Sequence, residues 1–135
     1  MAVEIPSILI TDDDRDFRET LSSVFEPRGF RTLLAPDGLE ALRIVRCEQV
    51  HVVLCDMHMP RINGLEVVRE LKAFDATLPC ILISAAMDLE LIDAARRADV
   101  FGHLSKPVSF RDVTEHVSRA LRTTYGWDYD FRASR

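Results

Sequence analysis

Five apolar runs of strand length, at about residues 7–11, 30–35, 51–55, 79–84 and 100–104, alternate along the chain with segments whose apolar residues recur at helical spacing. Few architectures suit that pattern. Strands that alternate with helices build a parallel sheet, joined by right-handed crossovers and covered by helices on both faces. The central run, Val52-Val53-Leu54-Cys55, is unbroken in its hydrophobicity, as a strand buried on both sides must be, and it ends at Asp56. At 135 residues the chain has room for one core. The expected fold is therefore α/β: a three-layer, doubly wound (βα)5 arrangement around a five-stranded parallel sheet. Periodicity leaves the order of the strands open.

The helical segments can be placed by their stripes and caps. The first carries Phe17, Leu21, Val24 and Phe25 on one face and ends near Pro27-Arg28-Gly29. The second opens with Asp37 three residues before Glu40, in the manner of a capping box, and turns Ala41, Leu42 and Val45 inward. Ile62, Leu65, Val68 and Leu71 mark the third, where Gly64 suits a tight entry from the loop. The fourth, at about 88–97, has small residues (Ala94, Ala95, Ala98) and a weak stripe through Leu89 and Ile92. The fifth places Phe110, Val113, Val117, Ala120 and Leu121 on one face, with Ser109 as a cap.

In a parallel sheet all strands end at the same edge, and ligands bind in the crevice outside it. Asp12 and Asp13 follow the first run, Asp56 the third, Ser84 the fourth and Lys106 the fifth. Each is ordinary alone, since Asp and Ser cap helices and form turns and Lys is usually a surface residue. Together they form a set with one chemistry. Adjacent carboxylates repel until a hard cation with oxygen ligands joins them, and Mg2+ is the natural candidate. With one carboxylate left as nucleophile, and a hydroxyl and an ammonium to receive an anion, the set suits phosphoryl transfer to Asp56. Asp14 reads as the cap of the first helix.

Composition narrows the partners. A formal charge of −5 argues against a nucleic-acid surface. No apolar stretch approaches the length of a membrane span and no leader pattern opens the sequence, so no membrane partner and a cytoplasmic location are expected. Cys47, Cys55 and Cys80 lack metal-type spacing and read as small reduced hydrophobes. His51 and His58 lack the spacing of a zinc site, and His116 is expected at an exposed position.

Four pieces of the chain resemble the receiver domain of two-component response regulators: Ile8-Leu9-Ile10-Thr11-Asp12-Asp13-Asp14, Asp56-Met57-His58-Met59-Pro60 with Gly64-Leu65-Glu66, Ile83-Ser84-Ala85, and Leu104-Ser105-Lys106-Pro107. The resemblance implies a flavodoxin-like fold with strand order 2-1-3-4-5. It implies that Asp56 accepts a phosphoryl group from the phosphohistidine of a histidine kinase. Asp12, Asp13, Asp56 and the backbone carbonyl of His58 would bind Mg2+. Ser84 would be the hydroxyl that moves on activation, and Lys106 the cation that pairs with the phosphoryl group. Such a domain is a switch, with self-catalysed phosphorylation and dephosphorylation as its only chemistry. The implied partners are a sensor histidine kinase or phosphotransfer protein, a downstream protein effector and, as one option, a second copy of the chain. The expected division is a receiver domain over 1–123 and an aromatic tail or linker stub over 124–135.

The sequence also departs from the family. His103 stands where the switch residue is commonly Tyr or Phe; either its protonation makes the switch sensitive to pH, or it is a surface residue with a modest role. The resemblance implies that the positions of His58 and Ala86 influence how quickly water removes the phosphoryl group. Gly102 replaces an acidic residue common in one dimerising subgroup, which puts that dimer mode in doubt. The aromatics of the tail, Tyr125, Trp127, Tyr129 and Phe131, alternate with other residues, as in an extended segment. Such a segment either binds a partner or folds back on its own domain. Two enzyme-like or metal-loop readings fit less well. Asp12-x-Asp14 resembles the nucleophile motif of haloacid-dehalogenase-like phosphatases, but Asp16 stands where Thr or Val is usual. A Ca2+ loop would need Gly at Phe17 and Glu at Ser23.

Overall fold

A computed structural model describes residues 5–128. The elements alternate as the sequence predicts: β1 (Ser7–Thr11), α1 (Arg15–Phe25), β2 (Arg31–Ala35), α2 (Gly38–Cys47), β3 (Val52–Asp56), α3 (Gly64–Phe74), β4 (Cys80–Ser84), α4 (Leu89–Arg97), β5 (Gly102–Ser105) and α5 (Phe110–Tyr125). One short 3-10 turn, Glu26–Arg28, follows α1 and closes on Gly29. All four strand pairings are parallel, and the order is β2-β1-β3-β4-β5. β5 begins at Gly102, later than the apolar run suggests, because Val100 and Phe101 lie in the approach to the strand. Among the described residues, no helix is long and apolar enough to cross a membrane.

Every residue of β1, β3 and β4 is buried, which explains why those runs are apolar without alternation. Ile8, Ile10, Val52, Leu54, Ile81 and Ile83 point to the face covered by α1 and α5, where they meet Phe25, Val113, Val117 and Leu121. Leu9, Val53 and Cys55 point to the other face, against Ala41 and Val45 of α2 and Val67, Val68 and Leu71 of α3. Leu82 packs with Ala95 of α4.

Local chemistry fixes the helix ends. Asp14, Asp37, Asp88 and Ser109 each accept a backbone N–H of the following first turn, and Asn63 forms a full capping box with Glu66. Gly64 opens α3 because a Cβ there would sit 2.2 Å from the carbonyl oxygen of Asp56. The helix is thereby pressed against the end of β3. Three expectations need correction. Leu89 and Phe110 are 84% and 55% exposed, since each is the first residue of its helix and overhangs the sheet. Cys47 is exposed, unlike Cys55 and Cys80. His116 is half-buried: its ring lies against Gly102, where an added Cβ would meet Cδ2 at 2.9 Å.

α5 runs through Tyr125, past the expected boundary at 123, and ends on Gly126 in the left-handed conformation. Tyr125 donates its hydroxyl proton to the carbonyl of His51 (2.7 Å), and the rings of Tyr125 and Trp127 stack at 4.7 Å beside the buried His51 imidazole. That part of the tail folds back on its own domain. Tyr129 and Phe131 lie outside the described residues.

Candidate functional site

The carboxyl edge of the sheet gathers the charged groups. Asp12 leaves β1 but keeps the sheet's pairing for one more step, its N–H donating to the carbonyl of Ala35 (3.1 Å). Its Oδ1 accepts the N–H of Asp14 (2.9 Å), and Arg18 donates to its carbonyl oxygen (2.6 Å). Asp56 ends β3, and the next N–H, that of Met57, bonds to Ile83 of the neighbouring strand (2.7 Å). The carbonyl of Met57 accepts the N–H of Gly64 (2.8 Å), tying the turn after Asp56 to the start of α3. Arg61, at φ 71°, pairs with the α2 cap Asp37 at 3.0 Å and holds the same turn from outside.

Carboxylate oxygens from Asp12, Asp13 and Asp56 lie within 4.8 Å of one another. Asp12 and Asp56 are buried and Asp13 is exposed. Lys106 follows β5, with a cis peptide to Pro107. Its Nζ reaches Asp12 Oδ2 at 2.9 Å and Asp56 Oδ1 at 3.2 Å. Its backbone N–H donates to the carbonyl of Ser84 (2.9 Å), so β4 and the lysine loop are joined at the rim. Ser84 is fully buried, and its Oγ accepts the N–H of Ala86 (3.0 Å). The residues read from four strand ends thus meet at one edge.

His58 and His103 stand apart from that contact network. The side chain of His58 is exposed in the turn after β3. His103 is exposed on the edge strand β5, in register with Leu82. Two participants escaped sequence reading. The ring of Phe17 lies over Lys106, 4.4 Å from Nζ to the centroid, and Arg18 holds the Asp12 backbone. Phe17 was legible only as part of the apolar stripe of α1, and nothing in the stripe tells that one ring faces an ammonium.

The electrostatics follow from burial and proximity. Burial pushes the Asp56 carboxyl above its ordinary range, the charge of Asp12 adds to the rise, and the Lys106 ammonium opposes it. For Lys106, burial acts to release the proton, but the hydrogen bond and charge of Asp12, with those of Asp56, outweigh it and raise the pKa. Burial also lifts the Cys55 thiol far above its usual value, which leaves it inert beside the site. When ionised, three carboxylates face one ammonium, an excess of two negative charges. An all-oxygen donor set with that excess fits a hard divalent cation such as Mg2+. The ammonium, the Ser84 hydroxyl and a cation held there would then receive an anion beside Asp56.

Comparison with known proteins bears on this geometry. The family model described as the response regulator receiver domain matches residues 8–118. The sporulation initiation phosphotransferase F of Bacillus subtilis (strain 168) is 32% identical over 114 residues, covering 84% of this chain and 92% of that protein. The response regulator MprA of Mycolicibacterium vanbaalenii is 33% identical over 117 residues, 87% of this chain and 51% of its own length. Two other curated relatives are longer still, and the chain spans 28% and 26% of them. Among solved structures, a CheY-like receiver domain protein from Methanospirillum hungatei JF-1 superposes with a TM-score of 0.87 at 23% identity, over 91% of this chain and 98% of that one, a likeness of fold.

Proposed function

The chain belongs to the response regulator receiver domain family, and from that premise we propose that Asp56 accepts a phosphoryl group at the edge where Asp12, Asp13, Ser84 and Lys106 converge. The domain is a phosphorylation-activated signalling switch of a two-component system, and its family works by conformational change rather than by turnover of a small substrate. Receiver domains bind Mg2+ at an acidic pocket, and in this chain Asp12, Asp13, Asp56 and the His58 carbonyl would hold it. Bound there, the ion neutralises carboxylate charge and stabilises the charge that spreads over the phosphoryl oxygens.

The chain's own residues do the rest. An Asp56 oxygen attacks phosphorus as the P–N bond of a phosphohistidine donor breaks, and the electron pair stays on the imidazole nitrogen. Lys106 pairs with a phosphoryl oxygen and so keeps the new negative charge from being expelled. The Ser84 oxygen already accepts the Ala86 N–H, which leaves its own proton to donate to the phosphoryl group. Loss of the group is the reverse in kind: water attacks phosphorus, the P–O bond to Asp56 breaks, and phosphate leaves. His58 and Ala86, both exposed, occupy positions that in the family influence that step.

The donor is a sensor histidine kinase or a phosphotransfer protein, and the reader is a protein effector or a second copy of the chain. His103 takes the switch position on β5. The receiver domain extends to the end of α5 at Tyr125, two residues past the boundary expected from the sequence, with the residues that follow as its tail, and the protein works in the cytoplasm. One observation carries the site assignment: the Lys106 ammonium bridges Asp12 and Asp56 across three strand ends. Intact mass after treatment with acetyl phosphate and Mg2+ tests it. The wild type should gain one phosphoryl group and Asp56→Asn none; equal labelling of the two would overturn the assignment.

A further inference from the structure

We propose that Phe17 is a positioning residue that holds the Lys106 ammonium against the two buried carboxylates, an assignment that rests on the reading of Asp56 as phosphoacceptor. Lys106 stands on a loop, at the end of a flexible four-carbon stem, and its side chain is 25% exposed. Water competes for an ammonium in that position. Two of its directions are taken by Asp12 (2.9 Å) and Asp56 (3.2 Å), and the Phe17 ring lies over it at 4.4 Å. A ring face at that distance attracts a cation through its quadrupole and excludes solvent from the same side.

The ring itself is held. Phe17 is half-buried and packs on the core cluster between the sheet and α1 and α5. The first turn of α1 is fixed at both ends of the contact. Asp14 caps it, accepting from the N–H groups of Asp16 (3.0 Å) and Phe17 (3.4 Å), and Arg18 anchors it to the Asp12 carbonyl (2.6 Å). The segment that follows the acidic pair therefore returns over the site and covers the lysine. A simple core role would be served as well by Leu, which fills a similar volume but has no π face.

Phosphorylation by acetyl phosphate tests this, because so small a donor needs no docking surface on α1. The rate at saturating Mg2+ is measured by intact mass for the wild type, Phe17→Leu and Phe17→Tyr, and again with each placed in a Lys106→Ala background. Thermal unfolding of every variant shows that it is folded. With Lys106 present, Phe17→Leu should slow labelling about two- to fivefold, the weight of one part-exposed cation–π contact, and Phe17→Tyr should restore the rate. Without Lys106 the three should label alike. An undiminished rate for Phe17→Leu, or equal slowing in both backgrounds, would overturn the assignment. A wild type that takes up no phosphoryl group would instead overturn the reading of Asp56, and this one with it.

Discussion

At Asp56, burial and the Asp12 charge act against ionisation while Lys106 acts for it, and the balance raises the pKa. The consequence for stability has a definite sign. A carboxyl whose pKa is higher folded than unfolded favours the folded state when protonated, and that contribution is lost as pH rises through the folded value. In metal-free protein, Asp56→Asn should therefore unfold at a higher temperature than the wild type at pH 7, with the gap closing as pH falls through the carboxylate range. Calorimetry across pH 4–7.5 checks it, and a gap that widens toward acid would show the opposite balance. Asp12, Asp13, Asp56, Ser84 and Lys106 were legible in the sequence because parallel strands must end at one edge, so position along the chain became position in space. Phe17 and Arg18 were not. A helical stripe gives a face, but which neighbour that face meets depends on how far the loop from β5 reaches.

Elements meet the site through their ends, and α3 is the clearest case. Helix propensity alone favours Ala over Gly by about 1 kcal/mol. At Gly64 the close approach to the Asp56 carbonyl, a fixed backbone atom, decides the matter the other way. Gly64→Ala should destabilise the domain by about 1–3 kcal/mol, the usual cost of overpacking, as read by urea denaturation. A stabilised variant would mean that the helix start can move away from β3. The same gap between local pattern and packing explains α4 and α5. The stripe drawn through Leu89 and Phe110 extends a helical period to residues that lie beyond the sheet's cover, whereas Ala95, Val113, Val117 and Leu121 lie over it and are buried. The interior turns of α5 were read correctly and its first residue was not, whereas in α4 Leu91, rather than Leu89 or Ile92, packs on the core with Ala94 and Ala98.

Across the whole molecule, alternation of strand and helix dictated a parallel sheet but not the order of its strands, because every (βα) unit looks alike in hydrophobic period. The order β2-β1-β3-β4-β5 came from the resemblance of the motifs, and it is what brings β1 and β3 side by side with their carboxylates. The opposite edge is closed by the end of α5. Burial pushes the Tyr125 hydroxyl up to about 12, so it keeps its proton and donates to His51. Tyr125→Phe should cost about 1 kcal/mol in urea denaturation, and no loss would place the stability of that edge in ring packing alone. The alternating aromatics did not reveal this arrangement, since α5 continues through Tyr125 instead of giving way to an extended segment. The most direct trial of the account is a crystal structure of the protein with beryllofluoride and Mg2+. It should show the fluoroberyllate on one Asp56 oxygen, the metal among Asp12, Asp13, the other Asp56 oxygen and the His58 carbonyl, and Lys106 in contact with fluoride; an adduct on another carboxylate, or a metal elsewhere, would contradict it.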